Sequence, residues 1–422
     1  MTDLFPLSQA LRAGRYDAAL TRLYTPDGLA AARERALRLA DSFAKHFGEA
    51  DCALFSAPGR TELGGNHTDH QHGHVLCGSV SADMLACAAP NGSDTIHILS
   101  EGYAPVEVSL KDLAPLEREH GTTAALVRGM AAGFAAPVGF DACVTSNVLS
   151  GSGLSSSAAF EVLIGTILAD FTGCPVEPTE LAKRAQKAEN VFFGKPCGLM
   201  DQTACAVGSA IAVDFRDPAA PVVEKLCYDF AKSGHVLCIV DTRSDHADLT
   251  GDYAAIPREM SSVAAQFGKN HLRDVPESDV RAALPALRKT CGDRAVLRAL
   301  HFYAEDRRAV QEADALRAGD FARFLALVNA SGLSSELLLQ NAWAPAHPEQ
   351  QAVPLALVRG RELLDGAGAI RVHGGGFAGT IQAFVPAGLL AQFREGMEAL
   401  LGEGACHVLT IRPDGGCKLT KE

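Results

Sequence analysis

Between residues 141 and 171 the hydrophobic pattern changes period. Ala142, Val144 and Val148 alternate with Asp141, Thr145 and Asn147, which predicts a half-buried strand. Phe160, Leu163, Ile164, Ile167, Leu168 and Phe171 then recur at helical spacing. Between them lies a small-residue stretch, Asn147 to Glu161. The chain there predicts strand, loop, helix. Elsewhere the pattern predicts helix over residues 1–48, 119–135 and 177–193. Strands are expected at Ala53–Ser56, Val75–Ala89, Thr95–Leu99, Ile211–Phe215 and His235–Asp241. Ala57-Pro58-Gly59-Arg60 predicts a turn. Helices dominate from about 252 to 330. Short strands at 369–372, 380–385 and 407–412 bracket a helix at 387–401. Strands and helices mix without strict alternation, so the expected class is α+β.

The loop inside that unit has the makings of an anion site. Gly151 and Gly153 allow close backbone approach. The first amides of the following helix lack intrahelical partners and carry the positive end of its dipole. Together they suit a phosphate. Ser152, Ser155, Ser156 and Ser157 can donate to it or ligate magnesium. A serine-capped helix after an ordinary turn would have the same pattern.

Composition narrows the partners. The 422 residues are 47% hydrophobic, enough for one large domain or two ordinary ones. With 38 basic and 50 acidic residues the formal charge is -12, and no basic block points to nucleic acid. No run is long enough to span a membrane, and the first residues do not form a signal peptide. Twelve cysteines form no C-x-x-C pair, which argues against a zinc ribbon or thioredoxin-like motif. Several, such as Cys87, Cys143 and Cys238, sit in apolar runs and are expected to be reduced core residues, and the protein is expected to be cytoplasmic.

Three further concentrations of chemistry stand out. Gly374, Gly376 and Gly379 match G-x-G-x-x-G, but a strand is expected after them and Ala399 occupies the position where a dinucleotide site needs an acid. Arg60 to His74 holds four histidines (67, 70, 72, 74) and Asp69. It suits a metal site, a polar loop for a polyhydroxylated ligand, or a solvated loop. The metal-hydrolase pattern H-x-H-x-D-H fails because Gly65 stands where a histidine is required. Glu189 and Asp201 flank a glycine-rich turn and could sit on two sides of a phosphate.

Taken together and in order, these pieces resemble the galactokinases of the GHMP small-molecule kinase superfamily. The likeness rests on Ala57-Pro58-Gly59-Arg60 with His67-Thr68-Asp69, on Gly151 to Ala158, on Glu189 with Pro196 to Gln202, on Asp252-Tyr253 and on Gly374 to Phe377. It spans residues 53 to about 385. It implies a two-lobed fold, with an N-terminal lobe over 1–215, a C-terminal lobe over 216–422, and the active site between them. It implies ATP and magnesium, and transfer of the γ-phosphate to the anomeric hydroxyl of galactose. Gly151, Ser152, Gly153, Leu154, Ser155, Ser156 and Ser157 would wrap the ATP phosphates, with Ser100 lining the nucleotide pocket. Ser157 and Glu189 would hold magnesium. Asp201 would take the hydroxyl proton and Arg60 would hold Asp201 ionised. Asn66, His67, Thr68, Asp69 and Tyr253 would face the sugar.

The chain departs from the family pattern at several of these positions. The family usually has Glu where Asn66 stands. An amide donates as well as accepts, whereas a carboxylate only accepts. A C6-modified sugar (a uronic acid) or an amino sugar is therefore an alternative acceptor. The usual Asn-Leu-Ile-Gly reads Glu62-Leu63-Gly64-Gly65, the usual Tyr is His70, and His373 and Ala378 replace a Thr and a Gly. A rival of another class is a catalytically idle sugar-and-ATP sensor.

Overall fold

A computed structural model describes residues 7–148, 153–244 and 249–421. Two helices open the chain, α1 (Leu7–Arg12) and α2 (Asp17–Phe47). Thr25 adopts φ 66° ahead of Pro26, so α2 is two helical pieces meeting at a kink. The strands β1 (Ala53–Gly64), β2 (His74–Pro90), β3 (Thr95–Ser100) and β4 (Val106–Ser109) follow. The expected turn at 57–60 does not form. Instead β1 runs straight through Pro58 and Gly59, with a register shift between Pro58 and Arg60 opposite β2. A bulge accommodates a proline that cannot donate to the ladder. A Cβ at Gly59 would come 2.8 Å from the carbonyl oxygen of Leu154, so Leu154 packs on the bare backbone there.

Next come α3 (Thr123–Ala132), β5 (Phe140–Ser146), α4 (Ser156–Phe171), α5 (Pro178–Lys187) and α6 (Met200–Val207). The strand, loop and helix expected over 141–171 are present as β5 and α4. The predicted helix over 177–193 ends as a π-helical turn at Ala188–Phe193. β6 (Ala210–Asp214) and β7 (Val222–Leu226) complete this part.

The first sheet has eight strands in the order β12-β1-β2-β5-β3-β4, with β6 paired to β2 and β7 to β6; β12 is Cys417–Lys418. β2 serves both ends, pairing β6 through His74–Gly78 and β5 through Met84–Pro90. Its two faces are covered by different helices. Leu54, Leu85, Cys87 and Cys143 pack toward α1 and α2. Phe55, Ala86, Ala88, Ala142 and Val144 belong to the core built with α3, α4, α5 and α6. This period-two division is why β1 is buried almost throughout. β7 and β12 lie beyond residue 215, so this sheet is not confined to the expected N-terminal span.

The remaining chain supplies β8 (His235–Asp241), then α7 (Thr250–Ala265), α8 (Glu277–Ala282), α9 (Leu284–Thr290), α10 (Asp293–Arg317), α11 (Phe321–Ser334) and α12 (Ala352–Leu364). β9 (Ala369–Val372), β10 (Thr380–Pro386), α13 (Leu390–Leu401) and β11 (Cys406–Leu409) close it. The second sheet is antiparallel, in the order β11-β8-β10-β9, with α12 and α13 packed on one face. No helix among the described residues is long and apolar enough to cross a membrane.

Candidate active site

Arg60 and Asp201 meet at the end of the first sheet. Arg60 comes from the bulged middle of β1, and Asp201 from the first turn of α6. The guanidinium donates from Nε to Asp201 Oδ1 at 2.8 Å and from Nη2 to Oδ2 at 2.9 Å, a two-pronged pair. Its third nitrogen, Nη1, donates to the carbonyl of Gly153, and the Arg60 backbone N–H donates to the carbonyl of Leu154 at 3.0 Å. Ser155 Oγ donates to Asp201 Oδ2. Burial pushes the Asp201 carboxyl up, but the Arg60 charge and the hydrogen bonds from Arg60 and Ser155 outweigh it. The net position is below the ordinary carboxylate range. Asp201 is therefore ionised and tied to both β1 and the loop before α4.

The loop itself bends as its composition demands. Gly153 has φ +70°, and Ser155, the residue before α4, has φ 57°. Gly151 and Ser152 lie outside the described residues. Leu154 is buried in the core, and Ser156 opens α4. One residue into the helix, Ser157 Oγ donates to Glu189 Oε1 at 3.1 Å. Glu189, on the π-helical turn, is buried. Its Oε2 accepts from Gln202 at 2.7 Å, and Lys195 Nζ lies 3.4 Å from Oε1. Gln202 also reaches Glu161, whose Oε1 has no partner among the described residues. Burial and the neighbouring Glu189 push the Glu161 carboxyl well above its usual range. Gln202 thus bridges two acids.

A cleft of about 310 Å³ opens beside the Arg60–Asp201 pair. It is lined by Arg60, Glu62, His67, Asp69, His70, Lys195, Cys197, Gly198, Met200, Asp201, Tyr253, Gly374 and Gly375. Three predicted sugar-facing residues are here: His67, Asp69 and Tyr253. His67 Nε2 donates to the Gly375 carbonyl at 3.0 Å. Burial, then the neighbouring His70, lowers its pKa to about 4. The ring is therefore neutral at physiological pH, and with Nε2 protonated, Nδ1 is left as an acceptor. Asp69 sits against Gly198, where a Cβ would come 2.7 Å from Oδ2. Tyr253, from α7, donates to the Gly376 carbonyl at 2.9 Å and packs edge-on against Phe377.

Two predicted residues point elsewhere. Asn66 is fully buried and does not line the cleft. Its amide nitrogen donates to Glu62 Oε1 at 2.9 Å and to the Gly374 carbonyl at 2.8 Å, and its oxygen accepts from Asn341 at 3.0 Å. Thr68, also buried, donates to the carbonyl of Gly65 at 2.8 Å and lies 2.5 Å from that of His74. Gly65 and His67 both have positive φ, so successive side chains of this turn leave in opposite directions. Ser100 lies outside the cleft as well. It lines a separate groove with Arg35, Arg38 and Ser42.

The histidines expected as a possible cluster diverge. His72 stacks on His271, and His74 lies 3.0 Å from Asp306 and 3.3 Å from Asp214. No group of three metal-ligating side chains occurs among the described residues. The third glycine stretch is explained by close packing. A Cβ at Gly376 would strike the Asn341 carbonyl, one at Gly375 would strike the Tyr253 ring, and Gly374 lies beside Gly153. The strand that follows is β10, as the pattern predicted in place of a dinucleotide fold. Sequence reasoning missed Glu62, Arg371 and Asn341, and Lys195 and Cys197 as lining groups. Lys195 and Cys197 carried a signal as members of the turn between Glu189 and Asp201, and Glu62 carried one as a departure from the family pattern; Arg371 and Asn341 carried none.

The chain is similar to known proteins in sequence and in fold. The GHMP kinases N terminal domain matches residues 120–209, and the galactokinase galactose-binding signature matches residues 41–90. A galactokinase of Streptomyces coelicolor is 32% identical over 390 residues, which cover 90% of this chain and 97% of its own. The chain belongs to the galactokinase family. A family member from Streptomyces lividans is also 32% identical, over 337 residues, 78% of this chain and 81% of its own. In fold, the chain resembles the crystal structure of Lactococcus lactis galactokinase complexed with galactose. The TM-score is 0.75 at 24% identity, covering 90% of this chain and 98% of the other. A mevalonate kinase shares the fold more distantly, with a TM-score of 0.59 at 13% identity. Galactokinase-family membership and the shared fold make the chain a kinase that uses ATP as co-substrate.

Proposed function

We propose that the chain phosphorylates the anomeric hydroxyl of D-galactose, giving galactose 1-phosphate and ADP. The observation that carries this reading is the Arg60–Asp201 pair, which touches the sugar-side cleft and the phosphate loop at once. Phosphoryl transfer requires positioning and neutralisation more than covalent chemistry. The nucleotide phosphates lie against the start of α4 and the described residues just before it, Gly153 to Ser157. Asp201 accepts a hydrogen bond from the anomeric hydroxyl and takes its proton as the sugar oxygen bonds to the γ-phosphorus. The bond to the leaving oxygen of ADP breaks, and Arg60 faces the charge that develops. With its carboxyl held low, Asp201 is a weak base, so orientation of the hydroxyl is its larger contribution.

Magnesium fits the acidic end of the loop. Glu189 and Ser157 offer a carboxylate and a hydroxyl within hydrogen-bond reach of one another. Two protein ligands plus phosphate oxygens and water are the usual habit of this ion. When bound, it would neutralise charge on the phosphates. His67, Asp69 and Tyr253 meet the sugar. The reason for a C6-modified acceptor weakens, because the Asn66 amide is spent on Glu62 and the Gly374 carbonyl. All twelve cysteines are free, which suits the reducing cytoplasm.

The test is incubation with ATP, magnesium and D-galactose, followed by phosphorus NMR. Equimolar ADP and an anomeric sugar phosphate are expected. Binding of both ligands without either product would favour a sensor on this scaffold.

A further inference from the structure

In the galactose cleft, Glu62 occupies an unusual position. It lies two residues after Arg60 on β1 and is buried except where it lines the cleft. One of its oxygens is fully occupied. Oε1 accepts from Asn66 Nδ2 at 2.9 Å and from Arg371 Nη2. Arg371 comes from β9 and is itself completely buried; its Nη1 donates to the Leu63 carbonyl at 2.8 Å. The other oxygen, Oε2, has no hydrogen-bond partner among the described residues.

A carboxylate clamped through one oxygen by a buried arginine and a buried amide is held in a single orientation. Its free oxygen is a fixed acceptor beside Arg60 and Asp69. It cannot be an ordinary surface acid, since its partners lie on β9 and in the Asn66 turn, and both are shielded from water. Burial holds the carboxyl above its usual range, against the Arg371 charge, the Asn66 hydrogen bond and the Arg60 charge, which draw it only partly back. An acceptor-only group with an unfilled valence in a sugar cleft calls for a hydroxyl donor.

We infer that Glu62 is a specificity-determining residue, whose Oε2 accepts a hydrogen bond from a non-anomeric hydroxyl of the sugar, while Asn66 and Arg371 hold it in place without touching the sugar. The inference rests on the kinase reading above. It divides the polar residues around the cleft into those that meet the sugar and those that orient them. Asn66 belongs to the second group, although its neighbour His67 lies in the cleft.

The experiment is a cycle between enzyme and substrate, with Glu62→Gln against the 2-, 3-, 4- and 6-deoxy derivatives of D-galactose, with ATP and magnesium. Gln keeps an acceptor for Arg371 and removes the carboxylate. With D-galactose the variant should lose about 10- to 100-fold in kcat/KM, carried by the sugar KM, with the ATP KM unchanged. One deoxy sugar should cost the wild type a similar factor, and that loss and the Glu62→Gln loss should not add. A merely structural role would lower turnover of every sugar by the same factor, so additive losses across all four derivatives overturn the assignment. Should Glu62→Gln not fold, Glu62→Asp is read by the same cycle, since it keeps the charge and shortens the reach. A wild type inert toward galactose would defeat the kinase reading and this inference with it. An active wild type with additive losses defeats the inference alone.

Discussion

At the scale of single residues, the site turns on how Asp201 is held. Three donors converge on its two oxygens, two from Arg60 and one from Ser155. Each oxygen has two acceptor positions, so Oδ1 keeps one for a substrate hydroxyl. Asp201→Asn keeps the shape but removes the charge that pairs with Arg60 and the site that accepts a proton. We expect turnover to fall by about 10²-fold or more with ATP binding retained. Near-normal turnover would exclude Asp201 from proton transfer. The pair was legible in the sequence because each member sits in a short contiguous motif. Glu62 was not. Asn66 lies four residues on, but Arg371 is some three hundred residues away, and nothing local marks that contact. Asn66 and Thr68 were misread for the opposite reason. They stand next to His67 and Asp69 in sequence, but the positive φ of Gly65 and His67 turns them inward.

At the scale of elements, the hydrophobic pattern located almost every strand and helix that carries the site. It failed where burial is continuous. Pro58-Gly59 was read as a turn because these residues usually make one. Here β1 is covered on both faces and passes through a bulge that aims Arg60 at Asp201. The long helix α10 holds an element-scale cost. Glu312 is fully buried against Gly64, and neither carboxyl oxygen has a partner among the described residues. Burial, then the neighbouring Glu305, drives its carboxyl well above the usual range, while Arg371 and Arg308 pull the other way. The folded protein therefore holds a proton that the unfolded chain releases above its ordinary carboxylate pKa. This cost is absent below that pKa and grows as pH rises. Glu312→Met should stabilise the fold by about 1–3 kcal/mol at pH 8 and by less at pH 4, read from urea midpoints at unchanged slope. Equal changes at both pH values would mean that Glu312 is not protonated in the folded state.

At the scale of the whole molecule, the cleft is assembled from segments far apart in the chain. β1 and its turn supply Arg60, Glu62, His67 and Asp69, the stretch after the π-helical turn supplies Lys195 to Asp201, α7 supplies Tyr253, and the glycine loop after β9 supplies Gly374 and Gly375. Such a site requires the complete fold, and the contacts of Tyr253 on α7 and of Asn341, beyond the end of α11, hold that loop in place. The lining of this cleft fits unmodified galactose. That fit is tested most directly by kcat/KM for D-galactose, D-galacturonate and D-galactosamine, each with ATP and magnesium. Glu62 and Asp69 place acidic groups in the cleft, so D-galactose should exceed D-galacturonate by about 10²-fold or more, and a site built to bind hydroxyls should prefer D-galactose to D-galactosamine as well. Turnover of the uronic acid or the amino sugar at or above that of galactose would contradict it.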